Sequence, residues 1–192
     1  MNELASIARP PDTIVDLATP ALLLDRARLQ RNADRMRTRV ERLGVRLRPH
    51  VKTSKSIDVL KVLAGGTDGP ITVSTLAEAR YFFEHGVRDI LYAVGIVPVK
   101  LPQVADLIGR GCNLRVILDT ADAAKAVQAF GAANGLAIEA LIEVDSDGRR
   151  AGVRSDDPLL LEIARALASG QGARLGGVMT HAGGSYACRN HG

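Results

Sequence analysis

Short apolar runs alternate with helix-length segments along nearly all of this sequence, and few folds accommodate that order. The runs fall at residues 47–52, 71–74, 90–94, 114–118, 138–145 and 175–181, and "TPALLLD" ahead of them reads as one more short strand. Between them, residues 56–63, 77–85, 101–108, 121–133 and 158–168 read as helices. Gly86, Gly109, Gly111, Gly135 and Gly170 stand where those helices should stop in a left-handed conformation. Strands alternating with helices specify βα units and a parallel sheet. Runs such as "DILYAVGIV" and "LAIEALIEV" are apolar almost throughout, so the sheet should be covered on both faces.

A first helix over residues 26–43 precedes the units. Leu29, Ala33, Met36, Val40 and Leu43 repeat in it at helical spacing and form one apolar face. A closed (β/α)8 barrel needs eight units and about 250 residues, whereas six units fit in the 192 residues here. The residues alone leave two architectures open: an open doubly wound sheet, or a barrel that stops two units short. Either is one domain long enough to bury a core.

Polar residues gather at the C-terminal ends of the runs: Lys52, Ser74, Thr75, Tyr92, Asp119, Asp145 and His181. In parallel α/β folds that edge carries the site. Thr75 and Asp119 stand just before helices and suit capping. Lys52 does not, because an ammonium opposes the positive end of a helix dipole. Under apolar walls a strand-end lysine loses solvation, which frees its amine to condense with an aldehyde cofactor. "AGGTDG" follows a helix rather than the first strand, and no P-loop is present, which disfavours a nucleotide-binding enzyme.

The formal charge of +4 and pI near 9.4 raise the question of a polyanionic partner. Twelve of the 25 basic residues lie between Arg26 and Lys61, but the apolar face of the first helix leaves its arginines on a solvated side. With no Trp and 3% aromatics, stacking platforms for bases are scarce, so no nucleic-acid partner is expected. No window approaches the ~18 apolar residues of a membrane span, and "MNELASIARPPDTIVDL" lacks the basic start and apolar run of a leader. Cys112 and Cys188 follow no metal-ligand spacing and read as free thiols. These features lead us to expect a cytoplasmic protein with no membrane partner.

The chain also carries, in order, "TPALLLD", "LRPHVKTSKS", "ITVSTLAEARYFFEHGVRDILYA", "EVDSDGRRAGV" and "GGVMTHAGGSY". In these segments, over residues 19–186, it resembles the D-threonine aldolase and D-serine dehydratase family of pyridoxal-phosphate enzymes, within the alanine racemase-like barrel class (fold type III). The resemblance implies a (β/α)8 TIM-barrel domain over residues 1–192, incomplete at about six βα units and without the family's C-terminal β domain. It implies pyridoxal 5'-phosphate as cofactor, with Lys52 as the catalytic lysine that carries it. The resemblance also implies His50, Arg150, His181 and Tyr186 as further cofactor-binding residues, with packing of the barrel mouth an equal alternative for His50, and it implies that Arg149 faces solvent. Lys55 is implied to be structural or phosphate-steering. Family members usually have His where Ser54 stands here.

The activity implied is that of a lyase on small D-amino acids. It is either retro-aldol cleavage of β-hydroxy-D-amino acids such as D-threonine or dehydration of D-serine to pyruvate and ammonia. A divalent metal, Zn or Mn, is expected in full-length relatives, with no ligands for it here, and neither Cys188 nor His191 is a substitute ligand. The expected molecule is a fragment with little activity alone, and a homodimer is an assembly open to it. A non-catalytic pyridoxal-phosphate carrier and an amino-acid racemase are the alternatives.

Overall fold

The computed structural model describes residues 13–189. The stretch read for a leader, in its first twelve residues, and His191 lie outside the described residues. Among the described residues, six parallel strands and six α-helices follow largely the alternation expected. The exceptions are that two helices precede the first strand and that a short strand at Val153–Arg154, which the apolar runs do not predict, directly follows the fourth. The strands are β1 (Ile71–Val73), β2 (Asp89–Gly95), β3 (Asn113–Leu118), β4 (Ile138–Asp145), β5 (Val153–Arg154) and β6 (Ala173–Thr180). The helices are α1 (Arg26–Arg42), α2 (Ile57–Ala64), α3 (Leu76–Glu84), α4 (Leu101–Gly109), α5 (Ala121–Ala133) and α6 (Leu159–Leu167). The sheet runs β1-β2-β3-β4, with β6 along the length of β4 and β5 hooked to its last two residues.

Side-chain parity sorts each strand into two faces. Ile90 and Tyr92 of β2, Leu114, Val116 and Leu118 of β3, and Ile138, Ala140 and Ile142 of β4 pack into one core with Leu76, Phe82, Leu107, Val127, Ile163 and Leu167 of the helices. Truncating one of these fully buried side chains to Ala costs about 2–5 kcal/mol. The helices start where side chains satisfy their free N–H groups: Ser56, Thr75 and Thr120 cap α2, α3 and α5.

The other face is not the second apolar layer that the sequence suggests. At its N-terminal end an ion ladder of alternating sign crosses the sheet. Arg48 Nη1 lies 2.8 Å from Asp89 Oδ1, and Arg115 Nη1 lies 2.9 Å from the same oxygen. Arg115 Nε is 2.8 Å from Glu139 Oε1, and Arg174 pairs with the other Glu139 oxygen. Above the ladder this face opens into a cavity. Helices on one face of a parallel sheet, with an inner face packed by side chains at its base and open at the C-terminal ends of the strands, are the layering of a partial (β/α)8 barrel. Among the described residues β6 has no neighbour beyond β4, and its Leu175 and Val178 are exposed.

Several expectations are corrected. "TPALLLD" forms no strand, and Leu22, Leu23 and Leu24 are exposed, having no strand to pair with among the described residues. Residues 47–52 make one bridge, His50 to Thr72. Pro49 brings no N–H, so the contact consists of its carbonyl accepting from Thr72 N–H and Val51 N–H donating to Thr72 O, both at 2.9 Å, before the chain turns away. On α1 only Ala33 is fully buried, while Met36 and Leu43 are exposed, because the helix packs chiefly on the short α2. Arg37 reinforces that contact by donating to the Val62 and Leu63 carbonyls at the end of α2, at 2.8 and 3.1 Å. Gly86, Gly111 and Gly135 are left-handed as expected, but Gly109 is the last residue of α4 and Gly170 is not left-handed.

Candidate active site

One cavity of about 640 Å3 opens at the C-terminal ends of the strands, a volume ordinary for small-molecule sites. Lys52, His50, Arg150, His181 and Tyr186 all line it, although they come from three separate segments of the chain. Arg48, Ser74, Glu143, Met179 and Ser185 complete the polar and apolar walls.

Lys52 stands in the turn that ends the 49–51 bridge segment, and its side chain is exposed at the mouth. The enclosure expected for it is therefore not found. It makes no ion pair among the described residues. Its backbone N–H donates to His50 Nδ1 at 3.4 Å, and His50 Nε2 lies 3.3 Å from Ser74 Oγ. With Nδ1 accepting, Nε2 is the protonated nitrogen and donates to the serine. Burial, with help from the Lys52 charge, lowers the pKa of His50 below the ordinary histidine range, while Glu78 pulls it the other way.

Arg150 is set by the loop between β4 and β5. Asp145 Oδ1 accepts from the backbone N–H groups of Asp147 (3.2 Å) and Gly148 (2.8 Å), which folds "DSDG" into a tight turn. Gly152 closes the loop at φ 122°, where a Cβ would come 2.6 Å from Asp145 N. The other anchor is Asp147, whose carboxylate also accepts from Gly184 N–H in the 3-10 turn Gly183–Ala187. That hydrogen bond joins the arginine loop to the turn bearing Tyr186. Arg150 Nη2 donates to His181 Nδ1 at 3.4 Å. Burial first, then the charges of Arg150 and Lys52, lower the His181 pKa against a small opposing pull from Asp147. Tyr186 is 80% exposed, so it reaches the cavity from its rim rather than from within.

Two strand-end residues do not take the places their positions suggested. Tyr92 is fully buried on the helix side, where its hydroxyl accepts from Lys100 Nζ at 2.7 Å. Asp119 does not cap α5; Thr120 does. Conversely, Glu143 was not foreseen. It is 7% exposed, lines the cavity from β4, and its pKa is raised by burial and then by Asp119, with Arg150 opposing. The signal was present in "LAIEALIEV", where parity places Glu139, Leu141 and Glu143 on one face. Among the described residues, no three His, Cys, Asp or Glu side chains are grouped so as to hold a metal ion. No helix among them is long and apolar enough to cross a membrane. Both cysteines are free, and burial pushes the Cys112 thiol up to about 11.

The alanine racemase N-terminal domain family matches residues 24–189. The chain belongs to that family. Among characterised proteins it is 54% identical over 176 residues to the D-threo-3-hydroxyaspartate dehydratase of Delftia sp., covering 91% of this chain and 46% of that protein. The solved structure of the Delftia enzyme superimposes with a TM-score of 0.88 over 94% of this chain and 48% of its own. The chain is 33% identical to the D-threonine aldolase of Arthrobacter sp. (92% and 46% covered). Identity to the D-serine dehydratase of Schizosaccharomyces pombe is 29% (93% and 45% covered). The chain spans about half the length of these relatives.

Proposed function

We propose that this site binds pyridoxal phosphate through Lys52 and belongs to a lyase that eliminates the hydroxyl group of a 3-hydroxy-D-amino acid. The observation that carries the reading is the convergence on one cavity of a lysine amine with no ion-pair partner among the described residues, Arg150 and two histidines of lowered pKa. The donor set suits the cofactor: a primary amine for its aldehyde, and cationic side chains for its phosphate and for substrate carboxylates. When bound, pyridoxal phosphate supplies the carbonyl that condenses with amines and the electron sink for a bond broken at the substrate α-carbon.

The residues of the chain do the rest. Lys52 Nζ would hold the cofactor, and its free amine would be the base that takes the substrate α-proton. Arg150 occupies His181 Nδ1, so His181 Nε2 carries the proton that can be given to the departing β-hydroxyl. Ser74 and His50 fix the turn from which Lys52 projects. A 2-oxo acid and ammonia are the products after loss of the hydroxyl as water and rehydration. The 54% identity to a dehydratase of 3-hydroxyaspartate supports this reading. Cleavage between the α- and β-carbons, giving glycine and an aldehyde, is the second reading, favoured by the aldolase relative.

The test is product analysis with the 192-residue chain, pyridoxal phosphate, a divalent metal salt and, separately, D-threo-3-hydroxyaspartate, D-serine and D-threonine. The expected result is slow formation of a 2-oxo acid and ammonia from hydroxyaspartate, absent in Lys52→Ala. The rate should be low because the cavity is open beside β6 and admits water. Aldehyde with glycine would establish the second reading, and accumulation of L-isomers a racemase. Cofactor bound at Lys52 with no product from any of them would reduce the chain to a cofactor-binding domain.

A further inference from the structure

The turn after Lys52 contains the one non-glycine residue with a left-handed backbone among the described residues, Lys55, at φ 47°. An L-residue other than glycine, asparagine or aspartate rarely adopts that conformation without compensation. Here the compensation is visible. Lys55 N–H closes the turn onto Val51 O at 2.9 Å, and Lys55 Nζ lies 3.3 Å from Glu78 Oε1. Glu78 is itself 7% exposed, and its second oxygen accepts from Ser74 N–H at 2.8 Å. Ser74 meets His50, and His50 accepts from Lys52 N–H. The contacts form a closed circuit from Lys55 through Glu78, Ser74 and His50 back to Lys52. Neither Lys55 nor Glu78 lines the cavity, so a phosphate-steering role for Lys55 has no support in the geometry.

We propose that Lys55 is a positioning residue, whose ion pair with the buried Glu78 holds the left-handed turn that presents Lys52 to the cavity. The consequence for cofactor binding rests on the reading of Lys52 given above; the holding of the turn does not. A buried carboxylate needs its partner, and the turn needs a tether that outweighs its backbone cost. The same ammonium supplies both.

Four variants separate this from a purely conformational role: Lys55→Arg, Lys55→Gln, Lys55→Gly and Glu78→Gln. Glycine relieves the left-handed backbone but deletes the ion pair, whereas arginine keeps the charge. Amide hydrogen exchange over residues 51–56 reports the turn without cofactor. Absorbance titration with pyridoxal phosphate, followed by borohydride reduction and peptide mapping, reports Lys52. Thermal melts confirm that each variant is folded. Lys55→Arg is expected to match the unsubstituted chain. The Gln and Gly variants at 55, and Glu78→Gln, should exchange faster over 51–56 and bind the cofactor about fivefold more weakly, as an ion pair of this kind would allow. Lys55→Gly equal to the unsubstituted chain in both readouts would overturn the proposal. Faster exchange with no label on Lys52 in any form would uphold the clamp and refute the cofactor reading instead.

Discussion

Arg150 Nη2 lies 3.4 Å from His181 Nδ1, joining the β4–β5 loop to the end of β6 across the mouth of the cavity. The guanidinium disfavours a second positive charge on the imidazole and adds to the lowering that burial already imposes. Arg150→Met should therefore raise the His181 pKa toward its ordinary 6.5, read from the imidazole proton shifts in an NMR titration. An unchanged titration would mean that the two side chains do not face each other in solution.

His50 and His181 together set an acid limit. Both have folded pKa values below the 6.5 of the unfolded chain, so the unfolded state binds more protons as pH falls through 6.5. Their contribution to stability is intact above that value, declines as pH drops toward the folded pKa values, and levels off below them. Urea unfolding at pH 7.5 and 5.5 should show the loss, and His50→Asn should remove part of it. The same slope in His50→Asn would assign the loss to other groups.

Glu143 has the opposite dependence. Its folded pKa is raised above 4.5 by burial and by Asp119. Its contribution is therefore fully present below 4.5 and is lost as pH rises through the folded value. Glu143→Gln should melt at a higher temperature than the unsubstituted chain at pH 8 and show no gain at pH 4. A lower melting temperature at pH 8 would show that the carboxylate has a partner that stabilises its charge.

Arg115 is the hinge of the ion ladder, touching Asp89 at 2.9 Å and Glu139 at 2.8 Å with all three side chains mostly buried. Arg115→Met should cost about 2 kcal/mol, because Asp89 and Glu139 each lose a charge-assisted hydrogen bond and keep only Arg48 and Arg174 as partners. Denaturant unfolding measures this, and adding Glu139→Gln should recover part of the loss. A cost below 0.5 kcal/mol would place the ladder among surface pairs of little weight.

The parts of this fold legible in the sequence are those where one signal decides. The segments read as helices at residues 56–63 and 77–85, the second with Thr75 as its cap, match α2 and α3 to within a residue, and the apolar runs at β2, β3 and β4 have no competing reading. Where two features compete, the local pattern misleads. "LRPHVK" has strand-like composition, yet Pro49 removes a donor and the turn at Lys55 draws the chain away after one bridge. In β2, apolar residues on both faces hide parity, so Tyr92 looks like a site residue while it points into the helix layer. The family motifs name Lys52, Arg150 and His181, but not the Asp147–Gly184 hydrogen bond that ties the loop of Arg150 to the turn that follows His181. That contact joins residues 37 apart in the chain, and no local spacing encodes it.

The proposed occupant of this cavity is pyridoxal phosphate, held on Lys52. The most direct measurement is to mix the purified chain with pyridoxal phosphate, reduce it with borohydride and map the modified peptide by mass spectrometry. A single adduct on Lys52 that disappears in Lys52→Ala is the expected result. Labelling scattered over surface lysines, or no labelling, would contradict it.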